Sequence, residues 1–206
     1  GKLLAAMDRR GLWEYTLVIL TTDHGTFNGD HGRVGKLQTH EFDACGHIPF
    51  IIAHPGGKAE RRSQLVQLVD IYPTALAAVG KELPRTPSGK PLHGMSLLPA
   101  LDDPKFRTRD QALMGQFGQS ISITDGRWIL HQAPVEGNQP LNWYGACLAK
   151  FLPADLGAFD GVKRPCIPGT PHSGYWWGTP TWLSDKSQDM NELNNLANER
   201  PDELRR

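Results

Sequence analysis

Asp23 and His24 stand side by side, and Gly29-Asp30-His31-Gly32 and Gly35-Lys36 follow closely. A carboxylate and a neutral imidazole together can hold a divalent cation, one through an anionic oxygen and the other through a ring nitrogen. Lys36 lies in a loop that also contains Gly25, Gly29 and Gly32. There it can neutralise an anionic ester oxygen or a leaving-group oxygen. His31, His40 and His47 add imidazoles suited to proton transfer or hydrogen bonding. Each residue has a plainer reading as well. An aspartate at a strand end commonly caps a turn, and a lysine commonly sits in solvent. For His40 and His47 a structural or exposed role is the better reading, whereas His31, inside the Gly-Asp-His-Gly turn, is balanced between the two.

The elements around the pair must hold it rigidly. Thr16 to Thr21 is an apolar run rich in β-branched residues and predicts a buried strand with Asp23 and His24 at its carboxyl end. In open α/β sheets that end is where ligands bind. A loop of about 25 residues follows, a length that inside a compact domain points to function. Ile48 to Ala53 predicts a second buried strand, with Pro49 near its start. Upstream, Leu3, Leu4, Met7 and Leu12 line one side of an opening helix that Gly11 ends. Downstream, Asp70 can cap a helix with Pro73 in its first turn, Ile71, Tyr72, Leu76 and Val79 facing inward, and Gly80 as its stop. Pro84, Pro87, Gly89, Pro91 and Gly94 mark a surface loop. The predicted organisation is an α/β portion over 1–103 and a small α+β subdomain over 104–206.

The second portion changes character. Ser120 to Thr124 and Arg127 to His131 flank Asp125-Gly126, a strong hairpin signal, and Ala112 to Phe117 can add a neighbouring antiparallel strand. Residues 133–185 are rich in Pro, Gly and Trp with weak periodicity, and a short helix is expected after Pro201. Cys45, Cys147 and Cys166 are odd in number and widely spaced, so buried or unpaired thiols are expected rather than a disulfide framework.

Composition narrows the partners. The 206 residues carry 22 Lys and Arg against 22 Asp and Glu, so no whole-chain basic field argues for nucleic acid. The longest apolar run falls far short of the ~18 residues a membrane span needs. Compartment stays open between periplasmic, secreted and cytoplasmic, and self-association as a homo-oligomer stays open too.

Taken together, these motifs resemble the sulfatases of the alkaline-phosphatase superfamily, including their relatives that hydrolyse phosphonate monoesters and phosphodiesters. In that family a strand ends in Ser/Thr-Asp-His/Asn-Gly, followed by a Gly-Glu/Asp-His-Gly turn and a Gly-Lys. Here the same places read Thr22-Asp23-His24-Gly25, Gly29-Asp30-His31-Gly32 and Gly35-Lys36. The lead-in Gly11 to Ile19, the stretch His47 to Ile52 with Pro55-Gly56, Leu68 to Thr74, Gly94 to Pro99 and the closing Glu192-Leu193-Asn194-Asn195-Leu196 resemble further family segments. The resemblance covers 1–130 and 185–206 and hardly touches 131–184.

That resemblance implies an alkaline-phosphatase-like mixed, mainly parallel sheet flanked by helices, plus a small C-terminal antiparallel β subdomain. It implies that Asp23 and His24 bind the active-site divalent cation. Lys36 would contact the sulfate group and the leaving oxygen, with His31 as the second catalytic candidate. Calcium is the usual family metal, while a His ligand also suits manganese or magnesium. The family nucleophile is a formylglycine made from the first residue of a Cys/Ser-x-Pro-x-Arg motif. No such motif precedes Asp23, and the family's early Asp-Asp pair and upstream histidine acid are likewise absent. Cys166-Ile167-Pro168 imitates its start but lacks the arginine and lies in the wrong half.

The expectation is therefore the carboxyl-terminal half of a sulfuric ester hydrolase, inactive alone, whose missing N-terminal half carries the formylglycine. Its substrate would be a sulfate-ester small molecule or glycan. Trp143, Tyr144, Trp176, Trp177 and Trp182 would either stack on that substrate or, more simply, fill a small β core. A phosphonate monoester or phosphodiester hydrolase and a non-catalytic sulfatase-like domain are the competing readings.

Overall fold

The computed structural model describes residues 1–32, 34–36, 41–86, 88–115, 120–133, 142–143, 167–168 and 180–205. Helix α1 (Lys2–Arg10) ends where Gly11 turns left-handed at φ 61°, a conformation that costs glycine no Cβ clash. Of its apolar side only Met7 is buried; Leu3 and Leu4 are exposed.

Strand β1 (Val18–Thr21) forms as its β-branched run predicts and pairs with β4 (Phe50–Ala53), which starts just past Pro49. The pairing is antiparallel, with Val18 opposite Ala53 and Thr21 opposite Phe50. Every strand pairing among the described residues is antiparallel. The mainly parallel sheet is thus not found within them. A parallel pair needs a crossover, usually helical, between its strands, whereas β1 and β4 are direct neighbours joined by the site loop. Leu20 and Ile51 remain 55% and 58% exposed on this ribbon.

The described part of the loop between β1 and β4 is organised rather than extended. It contains the two-residue strands β2 (Phe27–Asn28) and β3 (Val34–Gly35), a 3-10 turn over Asp30–Gly32 and the short helix α2 (Asp43–Gly46). Phe27, Phe42 and Cys45 form a buried cluster, against which Ala44 and Trp182 pack.

Helix α3 (Ile71–Ala78) corrects two expectations. The Asp70 side chain does not cap it but belongs to the preceding 3-10 turn, where it accepts from the Gln67 amide at 2.8 Å. Asp70 also accepts from Met95 N at 2.9 Å and pairs with both terminal nitrogens of Arg109. The inward residues of the helix are Pro73 and Thr74, while Tyr72 and Val79 face outward. Thr74 Oγ1 donates to the Asp70 carbonyl at 2.6 Å and accepts from Leu97 N at 2.9 Å, which anchors the start of α4 (Leu98–Asp102).

The C-terminal portion is the antiparallel sheet that the Asp-Gly signal anticipates. Its order is β10-β7-β6-β5, with β5 Ala112–Gly115, β6 Ile121–Thr124, β7 Trp128–Gln132 and β10 Trp182–Asp185. At the hairpin turn Gly126 has φ 95°, and Asp125 Oδ1 accepts from the amides of Arg127 and Trp128. Ser122, Ile129, His131, Leu183 and Ser184 are buried in this sheet. Strands β8 (Asn142–Trp143) and β9 (Ile167–Pro168) make a separate pair, and α5 (Pro201–Leu204) begins on its proline as expected. Among the described residues no helix is long and apolar enough to cross a membrane.

Candidate functional site

The chain leaves β1 through a tight turn. Thr22 Oγ1 bonds to Asp23 Oδ1 at 3.3 Å and to the His24 carbonyl at 3.1 Å, and Asp23 Oδ1 also accepts from His24 N at 3.1 Å. Gly25 then donates its amide to the Cys45 carbonyl of α2 at 2.9 Å. A Cβ at Gly25 would lie 2.0 Å from the Ala44 carbonyl oxygen, so only glycine permits this backbone contact.

The hydrogen bonds assign the protons of His24. Nδ1 lies 2.7 Å from the Gly25 carbonyl oxygen, which can only accept, so Nδ1 carries the hydrogen. Lys36 Nζ lies 2.8 Å from Nε2, and an ammonium can only donate, so Nε2 presents a lone pair. Asp23 Oδ2 stands 3.4 Å from that same Nε2. Two lone-pair atoms thus converge, a contact that is repulsive unless positive charge sits against it. A carbonyl that fixes the tautomer of a histidine and exposes its other nitrogen is the usual support of a metal-ligating imidazole.

Electrostatics keep the carboxylate charged. Desolvation is the largest single influence on Asp23 and pushes its carboxyl up, but its backbone hydrogen bonds and the Thr22 hydroxyl, with the His24 imidazole beside it, outweigh it. The net effect holds Asp23 below the ordinary aspartate value. Its side chain is 81% exposed against 25% for His24, so the carboxylate is open to a ligand while the imidazole is fixed.

Residues 1–81 match the model of the family described as "Sulfatase". Over these residues the chain is similar to the sulfatases. Arylsulfatase K of Bos taurus is 40% identical over 101 residues, which are 48% of this chain and 17% of the relative. Arylsulfatase K of Danio rerio is 36% identical over 203 residues, 98% of this chain and 32% of the relative. The chain therefore spans about a third or less of the length of these curated relatives. Among solved structures, a protein in complex with its substrate D-glucosamine-2-N,6-O-disulfate aligns with all of this chain and 35% of its own, with a TM-score of 0.57 at 18% identity. The phosphonate monoester hydrolase of Agrobacterium radiobacter aligns with 99% of this chain and 35% of its own, with a TM-score of 0.58 at 22% identity. At those identities the likeness shows the fold alone.

Within this sulfatase-like chain the candidates separate. Asp23, His24 and Lys36 come together, whereas the ring of His31 turns elsewhere. It stacks on Phe42 with centroids 3.8 Å apart and meets Phe27 and Trp182 edge-on. His31 also holds φ at 51°, a left-handed conformation that histidine adopts more readily than most residues. Its contacts make it part of the packing that seats the loop. His47 is 73% exposed; a hydrogen bond from its Nδ1 to Asp43 raises it above the ordinary histidine value, although burial opposes. His40, Cys147, Cys166, Tyr144, Trp176 and Trp177, with the side chain of Trp143, lie outside the described residues. Trp182 packs against the Phe27 and Phe42 cluster, the core role rather than the stacking one.

One acidic residue escaped the sequence reading. Burial raises the Glu41 carboxyl above its ordinary value, and His24 is the group that opposes the rise. Nothing in its spacing marked it, because it belongs to no recognisable motif. Among the described residues no group of three or more His, Cys, Asp or Glu side chains could hold a metal by themselves. The pair Asp23 and His24 suits a divalent cation by its donors and supplies two ligands.

Proposed function

We propose that the protein carrying this chain is a sulfuric ester hydrolase in which Asp23, His24 and Lys36 form one side of a metal-assisted active site. The observation that carries the reading is the approach of His24 Nε2 to Asp23 Oδ2 at 3.4 Å with Lys36 Nζ at 2.8 Å. Asp23 and His24 would hold the divalent cation, calcium by family habit, with manganese or magnesium as the alternatives that an imidazole ligand favours. A bound divalent cation polarises substrate oxygens and lowers the cost of ionising an oxygen nucleophile.

The chain's own residues do the rest. Lys36 neutralises the sulfate and the leaving oxygen, an electrostatic stabilisation suited to transfer of an anionic group. Nε2 can serve Lys36 or a cation, not both, so metal binding leaves the Lys36 donors to the anion. His31 is retained as the second catalytic candidate only through its place in the motif. The formylglycine nucleophile and the remaining metal ligands belong, in this reading, to the part of the enzyme that this chain does not span, as do the strands of the mainly parallel sheet beside β1. The organisation into 1–103 and 104–206 is part of the same proposal. The substrate class is a sulfate ester of a small molecule or a glycan, a reading supported by the sulfated sugar bound to the structural neighbour.

A phosphonate monoester or phosphodiester hydrolase is the second reading, favoured by the Agrobacterium enzyme that shares the fold. Turnover of an aryl sulfate and an aryl phosphonate ester by the intact protein separates the two. A higher kcat/KM on the sulfate supports the proposal, and a strong preference for the phosphonate sinks it.

A further inference from the structure

We propose that Glu192 is a positioning residue for the Asp23-His24-Gly25 turn, acting through the backbone of α2. This rests on the reading of Asp23 and His24 as metal ligands. Glu192 lies in the C-terminal segment, yet it is only 1% exposed. Its carboxylate is divided between two partners: Oε1 accepts from the amide of Asp43 at 2.9 Å, and Oε2 faces His131 Nε2 at 2.8 Å. His131 Nδ1 in turn meets Ser122 Oγ at 2.6 Å. A carboxylate can only accept, so Nε2 of His131 carries the hydrogen and Nδ1 accepts from the serine hydroxyl.

Serine, histidine and carboxylate in a hydrogen-bonded row have the parts of a nucleophilic triad. Here Ser122 and His131 are wholly buried, so no substrate reaches the hydroxyl. The row is a brace. Asp43 is the first residue of α2, and two residues later the Cys45 carbonyl accepts the amide of Gly25. Gly25 in turn rests against the Ala44 carbonyl so closely that a Cβ would not fit. Glu192 is therefore linked to the carbonyl that fixes the His24 tautomer by one amide-to-carboxylate hydrogen bond, one helical turn and one backbone hydrogen bond. The ring of Phe42, the residue before α2, lies edge-on to that of His131 with centroids 4.6 Å apart, a second contact between the brace and this segment. Glu192 itself is held at φ 55°, a conformation that persists only where the surroundings over-determine it. A ligand's hydrogen-bonded supports commonly govern metal affinity about 10–100-fold.

The experiment uses the full chain and two readouts: hydrogen exchange at the Gly25 amide without metal, and manganese affinity by calorimetry. Glu192→Ala is expected to speed Gly25 exchange and to weaken manganese binding, each by about tenfold or more. Glu192→Gln is expected to hold both near wild type, because its oxygen can accept from Asp43 and its NH2 can donate to His131 in the other tautomer. Where the alanine variant fails to fold, Glu192→Asp, one methylene short of reaching both partners, carries the same expectation in smaller degree. Arg109→Ala, which destabilises the chain at Asp70, is the comparator. Unchanged Gly25 exchange in a folded Glu192 variant, or an equal change in Arg109→Ala, overturns the proposal. A wild-type chain that binds no manganese refutes the metal reading alone, and Gly25 exchange still decides the positioning role.

Discussion

Lys36 spends a hydrogen bond of 2.8 Å on Nε2 of His24, the one ring nitrogen that Gly25 leaves unprotonated. The lysine and a metal ion thus compete for a single lone pair, and they repel each other as well. Lys36→Ala should leave metal affinity undiminished while lowering kcat/KM on a sulfate ester by about 10²–10³, the usual loss on removing an anion-stabilising donor. Calorimetry and steady-state kinetics on the intact protein check both halves of that expectation.

Gly25 allows the site turn to touch α2 through backbone alone. Gly25→Ala brings a methyl group to 2.0 Å from the Ala44 carbonyl oxygen, and neither backbone can yield without moving His24. The cost should be about 1–3 kcal/mol, as for other overpacked sites, read as a lower denaturation midpoint in urea. Metal affinity should fall with it.

Asp70 and Arg109 tie the α3 region to the start of the C-terminal sheet. Asp70 is wholly buried, and Arg109→Ala would leave its charge with only the Gln67 and Met95 amides and no cation, a loss that typically costs about 3–5 kcal/mol. Chemical denaturation of the variant measures this directly. The pair should not be used as a gauge of net stability, because desolvation of both charges offsets much of their attraction.

The same pair gives a pH dependence with a definite sign. Burial pushes the Asp70 carboxyl up, but Arg109 and the amides of Met95 and Gln67 outweigh it and hold the carboxyl below its ordinary 3.8. A group whose folded value is depressed contributes stability above its unfolded value and loses it as pH falls towards the folded one. Stability should be level from neutrality to about pH 5 and decline below about pH 4, where the unfolded chain takes up the proton first. Denaturation midpoints measured across that range test it. Acid-insensitive stability would contradict the assignment.

The grouping of the candidate site was legible because it is local. Asp23, His24 and Lys36 lie within one loop, and their types at that spacing point to a cation and an anion whatever the fold. The hairpin at Asp125-Gly126 was legible for the same reason, since two residues dictate the turn. What the sequence hid is long-range. Arg109 reaches Asp70 across 39 positions and Glu192 reaches Asp43 across 149, and no periodicity records such pairs. Asp70 reads as a helix cap because caps are local, whereas its actual partners are Arg109 and Met95. His31 reads as catalytic from the motif, while its ring lies among Phe27, Phe42 and Trp182. β10 was obscured by a Pro-rich and Gly-rich stretch, and only its pairing with β7 defines it.

The most direct measurement is metal-dependent turnover of an aryl sulfate by the intact protein, wild type against Asp23→Ala. Turnover that is abolished by chelation, restored by calcium, manganese or magnesium in the wild type, and lost in the variant is the predicted result. Wild-type activity in Asp23→Ala would contradict the metal role of Asp23, and with it the central claim.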